Sequence, residues 1–332
     1  MESICTRDVK RQTAGGRIDA QARATGGDDE ILLRPRPPFR LDLTVWALRR
    51  RGKNLVDRWE GTYRRALHVG DRAVTVEVEQ RDDPDDPLLI VRNLTAGALT
   101  VDERQSVEAQ LTRLLGLDVD LSGFYALADE DALVGPLAER MRGVKPPRFP
   151  TLFEALVNAV ANQQLSLEVG IELLNRISER FGVRPDDDHG MVTFPEPAAV
   201  LGESVHDLRQ LGFSMRKAEY IMDSADAVLA GAIDETLLAS ADRKTATGML
   251  TGLRGIGRWS AEYALLRGLG NIDVFPADDI GARNKLQRFF TLTNPPDREQ
   301  ILTLMEPWAP YAGLMYFHML LDGLAERGDL QP

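Results

Sequence analysis

A chain of 332 residues with 43 % apolar and 27 % charged residues is long enough for two or three packed domains and has the balance of a globular protein. No run is long and apolar enough to cross a bilayer, and the opening residues lack the hydrophobic centre of a secretory signal, so a cytoplasmic protein is expected. The lone cysteine, Cys5, excludes internal disulfides and a Cys-ligated zinc or iron–sulfur site, and His68, His189, His206 and His318 have no metal-ligand spacing.

Residues 1–30 carry no apolar period and are expected to form a disordered extension. From Pro37 the pattern changes. Segment 38–48 alternates apolar and polar residues and reads as a strand, as do 61–69, 72–80 and 88–96, each bounded by Gly, Asp or Pro turns. Residues 101–117 read as a helix with Val101, Val107, Leu111, Leu114 and Leu115 on one face, completing a small α+β domain over 36–117. The basic cluster Arg49, Arg50, Arg51 and Lys53 reads as a solvated face rather than a DNA contact.

A helical stretch near 123–142 leads to a Pro-rich joint at Gly143–Pro150, and almost everything beyond it has helical spacing. The long helical run 153–182 is interrupted near Asn162–Ser166, and two further helices close at Gly212 and Gly231. Residues 243–270 read as helix, hairpin, helix, and 297–326 as a final helical region dense in aromatics.

The net charge of −11 argues against a nucleic-acid partner on its face. The acids Asp82, Asp83, Asp85, Asp86, Asp186, Asp187 and Asp188, however, sit in two Pro-containing stretches that read as exposed loops, and net charge does not describe one face.

The chemistry concentrates between Leu253 and Asp279. Gly255 and Gly257 allow a sharp turn that exposes successive N–H groups at the start of a helix near Arg258, where the helix dipole also favours an anion such as a DNA phosphate. Trp259 and Tyr263, four residues apart, share a helix face, and Asp279 returns an acid to the same wall. Such a wall suits an electron-poor base stacked on the rings while positive charge develops on a neighbouring sugar. The same residues also fit a tight turn that binds nothing, two core aromatics and an aspartate that caps a helix starting at Ile280.

The run GIGRWSAEYALLRGLGNIDVFPADD resembles the helix-hairpin-helix DNA glycosylases, and most of all the AlkA-like 3-methyladenine DNA glycosylase II family. Segments at 38–48, 149–166, 194–221 and 307–319 resemble family segments in family order, so the likeness runs from about residue 36 to the C-terminus. The resemblance implies an α+β fold: an N-terminal domain with an antiparallel sheet, then a two-part helical core. That core comprises a hairpin-bearing part over 147–271 and a second part from 118–146 plus 272–330, with DNA and a flipped base in the cleft between them.

By the same resemblance Asp279 is the catalytic aspartate and Asp278 a secondary acid. Trp259, Tyr263, Phe317 and Tyr316 line the base pocket, with Phe317 standing where the family usually has tryptophan. Gln164 or Leu165 fills the gap left by the flipped base. Arg254, Gly255, Ile256, Gly257 and Arg258 hold the backbone, Arg254 standing where proline is common. The carbonyls of Thr251, Leu253 and Ile256 are expected to hold a structural sodium or potassium ion, and no other cofactor is expected. Trp259 takes the place of the lysine nucleophile of strand-cutting relatives such as 8-oxoguanine glycosylase, so base removal without strand cleavage is implied.

The expected activity is release of alkylated purines from duplex DNA by a monomer associated with the nucleoid. Excision of deaminated or oxidised bases (hypoxanthine, uracil, 8-oxoguanine) and non-catalytic binding of damaged DNA stand as alternatives.

Overall fold

The structure is a computed structural model that describes residues 30–48 and 53–328. The expected extension up to residue 29 and Arg49–Arg51 of the basic cluster lie outside the described residues. No helix among the described residues is long and apolar enough to cross a membrane.

The first unit holds β1 (Glu30–Leu33), α1 (Leu41–Leu48), β2 (Asp57–Trp59), β3 (Tyr63–Val69), β4 (Arg72–Arg81), β5 (Leu88–Asn93) and α2 (Val101–Leu115). Its five strands form one antiparallel sheet in the order β1-β5-β4-β3-β2. Residues 61–69, 72–80 and 88–96 supply β3, β4 and β5 as their alternation predicts. The two short edge strands lack enough residues to show a period, and β1 lies ahead of the boundary expected at residue 36. A capping box between Thr100 and Glu103 starts α2, and its Val107, Leu111, Leu114 and Leu115 are fully buried with the strand residues Leu67, Val74, Val76 and Val91. Val101 departs from the expected face: it is the first helical residue and 71 % exposed.

Segment 38–48 is a correction, because it contains α1 and no strand. The reason is packing on two sides. Leu41, Val45 and Leu48 join the core under the sheet, while Leu43 points into a helical core beyond it, so apolar residues surround the helix and mimic alternation.

The rest is helical: α3 (Ser122–Asp129), α4 (Val134–Arg140), α5 (Leu152–Asn162), α6 (Leu167–Phe181), α7 (Pro197–Leu201), α8 (Val205–Gln210), α9 (Met215–Leu229), α10 (Glu235–Ser240), α11 (Arg243–Thr251), α12 (Arg258–Ala264), α13 (Ile280–Phe289), α14 (Arg298–Met305) and α15 (Ala312–Ala325). The break at 163–166 separates α5 from α6, and α12 widens into a π turn over Leu265–Leu269. Side chains of Thr151, Ser166, Ser214, Asp242, Asp279 and Asp297 accept backbone N–H groups at the starts of α5, α6, α9, α11, α13 and α14.

These helices bury two cores. One draws on residues between Phe149 and Val274 around α5, whose positions 152–161 are all buried. The other combines Leu121–Val144 with Phe275–Leu321 around α15. The chain passes between them at 274–280, which brings Asp279 to the seam.

Candidate active site

The seam opens into a cleft of about 650 Å³ lined from both cores and from α1. Trp259 and Tyr263 of α12 form one wall with ring centroids 5.5 Å apart and planes 32° from parallel, so their four-residue spacing does place both rings side by side. Asp279 faces them from the start of α13, and Tyr316 of α15 closes the far side.

Asp279 uses its two oxygens differently. Oδ1 accepts the Ala282 N–H at 2.7 Å and caps α13, whereas Oδ2 accepts the Trp259 indole N–H at 3.1 Å and the Tyr316 hydroxyl at 3.3 Å. The capping role and the cleft role read from the sequence are therefore held by one residue at once. Burial, reinforced by the Asp279 charge, raises the Tyr316 phenol well above its ordinary range and keeps it a neutral donor. Beside it, Asp278 pairs with Arg298 of α14 at 3.0 Å, and Arg298 also grips the buried Glu262 of α12. This bridge fixes the loop before Asp279 to both neighbouring helices.

Phe317 is a correction. It is fully buried and not part of the cleft wall, because one helical step turns it away from Tyr316 and behind Arg267. Arg267, from the π turn, lies over the rings of Phe149, Tyr263 and Phe317 at 5.0, 5.8 and 5.4 Å and does reach the cleft. Trp46 of α1, Arg267 and Lys285 of α13 are lining residues that the sequence reading passed over. Trp46 sat in a segment read as a strand, Arg267 lay within the hairpin run with no role assigned to it, and Lys285 had no motif around it. Burial lowers the Lys285 ammonium below its usual range, an effect that the nearby Asp279 carboxylate opposes.

Beside the cleft, α11 turns through 252–257 into α12. Gly255 takes φ +83, and a side chain there would come within 2.1 Å of the Tyr220 ring, so only glycine fits. Gly257 differs from expectation: it is extended at φ −79, and its use is open space, with no atom within 4 Å of where a Cβ would stand. Ile256 is buried and anchors the turn, and Arg258 is exposed beside it.

Arg254 is exposed beside the turn and pairs with Asp223 at 2.7 Å and Glu219 at 3.0 Å on α9.

On the opposite lip, Gln164 is exposed at φ +56, and Leu165, 42 % exposed, lines the cleft. The acidic loops 82–86 and 186–188 contribute nothing to the cleft lining, whose charged members are Arg267, Lys285 and Arg327 against the single acid Asp279. Among the described residues no group of His, Cys, Asp and Glu has the geometry of a metal site.

A sequence profile for the HhH-GPD superfamily base excision DNA repair proteins matches residues 157–310, the span from α5 through the hairpin and Asp279 to the start of the last helix. A 3-methyladenine DNA-glycosylase from Archaeoglobus fulgidus has a similar solved structure, with a TM-score of 0.75 and 28 % identity over 88 % of this chain and 97 % of that one. A putative DNA-3-methyladenine glycosylase of Bacillus subtilis is 32 % identical over 48 % of this chain and 55 % of its own length. DNA-3-methyladenine glycosylase 2 of Escherichia coli is 31 % identical over 54 % of this chain and 61 % of its own length, so the aligned stretch spans little more than half of either relative. Residues 157–310, which hold both the hairpin and its aspartate, thus match the HhH-GPD superfamily of base excision DNA repair proteins, and the chain shares its fold with the archaeal enzyme over 88 % of its length.

Proposed function

We propose that the protein is a monofunctional DNA glycosylase of the AlkA-like type. It flips an alkylated purine such as 3-methyladenine or 7-methylguanine out of duplex DNA and hydrolyses the N-glycosidic bond, initiating base excision repair. The observation that carries this reading is the Oδ2 atom of Asp279, held by Trp259 and Tyr316 and turned into a cleft walled by the Trp259 and Tyr263 rings. The names of the Archaeoglobus and Escherichia relatives point the same way.

An alkylated purine carries positive charge, so it stacks on these rings with a cation–π attraction of about 0.5–2 kcal/mol and departs readily. As the bond to C1′ breaks, its electron pair goes to the base and neutralises it. The sugar becomes oxocarbenium-like, and the Asp279 carboxylate stabilises that charge across the cleft. A water then bonds to C1′ and loses its proton to the carboxylate or to solvent, leaving an abasic sugar. Trp259 offers no amine, so no imine with the sugar forms at its position.

In this reading the open backbone at Gly257 and the start of α12, with Arg258 beside them, receive a DNA phosphate, and Gln164 or Leu165 fills the vacated stack. The carbonyls of Thr251 and Ile256 accept no backbone N–H from the described residues, and that of Leu253 accepts only the N–H of Ile256, so the set suits a weakly held sodium or potassium ion that stiffens the turn. One copy of the chain presents every part of the site, and it acts as a monomer.

A panel of single-lesion duplexes tests the substrate class. Release of 3-methyladenine and 7-methylguanine ahead of hypoxanthine, uracil and 8-oxoguanine is expected. Preferential release of a neutral base would replace the substrate assignment, and lesion binding without any release would leave only a damage-binding role.

A further inference from the structure

The turn that carries Gln164 and Leu165 is tied to the hairpin turn by one side chain, and braced by a second, that no functional role has yet claimed. Gln163 ends α5, and its Nε2 donates to the Gly255 carbonyl at 2.8 Å and to the Ser260 hydroxyl at 2.9 Å. Lys217, in the first turn of α9, sends its Nζ to the carbonyls of Ala161 at 2.9 Å and Gln163 at 2.8 Å. Those carbonyls are among the orphan acceptors that every helix leaves at its C-terminal end. Burial lowers the Lys217 ammonium to about 8, which fits a cation drawn inward onto carbonyls rather than left in solvent.

Immediately after these contacts, Gln164 adopts φ +56, a left-handed conformation that costs a residue with a side chain and persists only where its surroundings over-determine it. Four hydrogen bonds from two side chains supply that constraint: those of Gln163 run to Gly255, at which α11 turns into α12, and to Ser260, while those of Lys217 tie the end of α5 to α9. We propose that Gln163 and Lys217 are positioning residues, Gln163 locking the stack-filling turn to the phosphate-binding turn and Lys217 bracing the end of α5 from which Gln163 reaches, so that seating the hairpin on the backbone sets where Gln164 and Leu165 enter the duplex. The inference rests on the glycosylase reading and adds to it: grip and insertion act as one rigid unit. Loosening the link leaves the grip and the chemistry at Asp279 intact but lets the inserting turn arrive out of register, which matters only when a paired base must be displaced.

The test compares two substrates bearing the same alkylated purine, one with the lesion paired in a duplex and one with it opposite an abasic site, where extrusion needs little work. Gln163→Met and Lys217→Met are expected to lower the single-turnover rate on the paired lesion by about tenfold, the scale of one or two lost hydrogen bonds. On the unpaired lesion the rate should stay within about twofold, with affinity for undamaged duplex retained. Lys217→Arg, which keeps a donor cation, should recover most of the loss. An equal fall on both substrates, or no fall on either, overturns the inference. If Gln163→Met fails to fold, Gln163→Asn keeps the amide but is too short to reach both partners, and it carries the same comparison. Wild-type protein releasing base from neither substrate would instead sink the glycosylase reading itself.

Discussion

At the scale of single residues, Asp279 caps a helix with one oxygen and faces the cleft with the other, and the cap fixes where the second oxygen points. The sequence offered both roles as rivals because Asp is favoured at a helix start and in acid catalysis alike, and only the structure separates the atoms. His318 makes a different kind of demand. It is fully buried, its Nδ1 donates to the Leu314 carbonyl at 2.8 Å, and its Nε2 has no hydrogen-bond partner among the described residues. Burial drives its pKa from 6.5 down to about 4.

Between those two values the unfolded chain binds the proton and the folded protein does not. Stability contributed by neutral His318 is therefore complete above pH 6.5 and is lost as pH falls toward 4, by on the order of 1 kcal/mol per pH unit. Denaturant unfolding across pH 4 to 7 should show this slope, and His318→Leu should flatten it; an unchanged slope in the variant would contradict the assignment. Nothing in the sequence singled out His318, since a buried imidazole has no motif. Phe317 misled for a related reason: a resemblance places a residue along the chain but not the direction of its side chain.

At the scale of elements, the loop that delivers Asp279 is held by α12 and α14 through the Glu262–Arg298–Asp278 bridge. Glu262 is buried, so removing its partner leaves a desolvated charge, and Arg298→Ala is expected to cost about 2–4 kcal/mol. Thermal unfolding should register that cost as a lower midpoint. Base release should fall as well, because the loop before Asp279 loses its tether; a variant with wild-type stability and activity would show the bridge to be idle. The helices with caps and a one-sided apolar stripe, such as α2, α6 and α9, were legible from the sequence. Segment 38–48 was not, because α1 is buried between two cores and its apolar residues have no single face.

At the scale of the whole molecule, a net charge of −11 coexists with a cleft whose lining carries three cations and one acid. The acids cluster on loops elsewhere, so the total was a poor guide to the working face, although the Pro-rich loop pattern hinted at that separation. The sheet unit joins the helical body through a buried ion triad: Arg65 of β3 meets both carboxylate oxygens of Glu154 on α5 at 2.8 and 2.7 Å and Asp57 of β2 at 3.3 Å. Arg65→Met would leave two buried acids facing each other. It should destabilise the fold by about 3–5 kcal/mol in chemical denaturation, and Arg65→Met combined with Glu154→Leu should recover part of that loss. No recovery in the double variant would place the role of Arg65 elsewhere.

Asp279→Asn isolates the chemistry of the cleft carboxylate, because asparagine is as good a helix cap and preserves the start of α13. Single-turnover release of 3-methyladenine from a duplex should proceed in the wild-type protein and fall by about a hundredfold or more in the folded variant, with binding to the lesion retained. Equal rates in the two proteins would contradict the account.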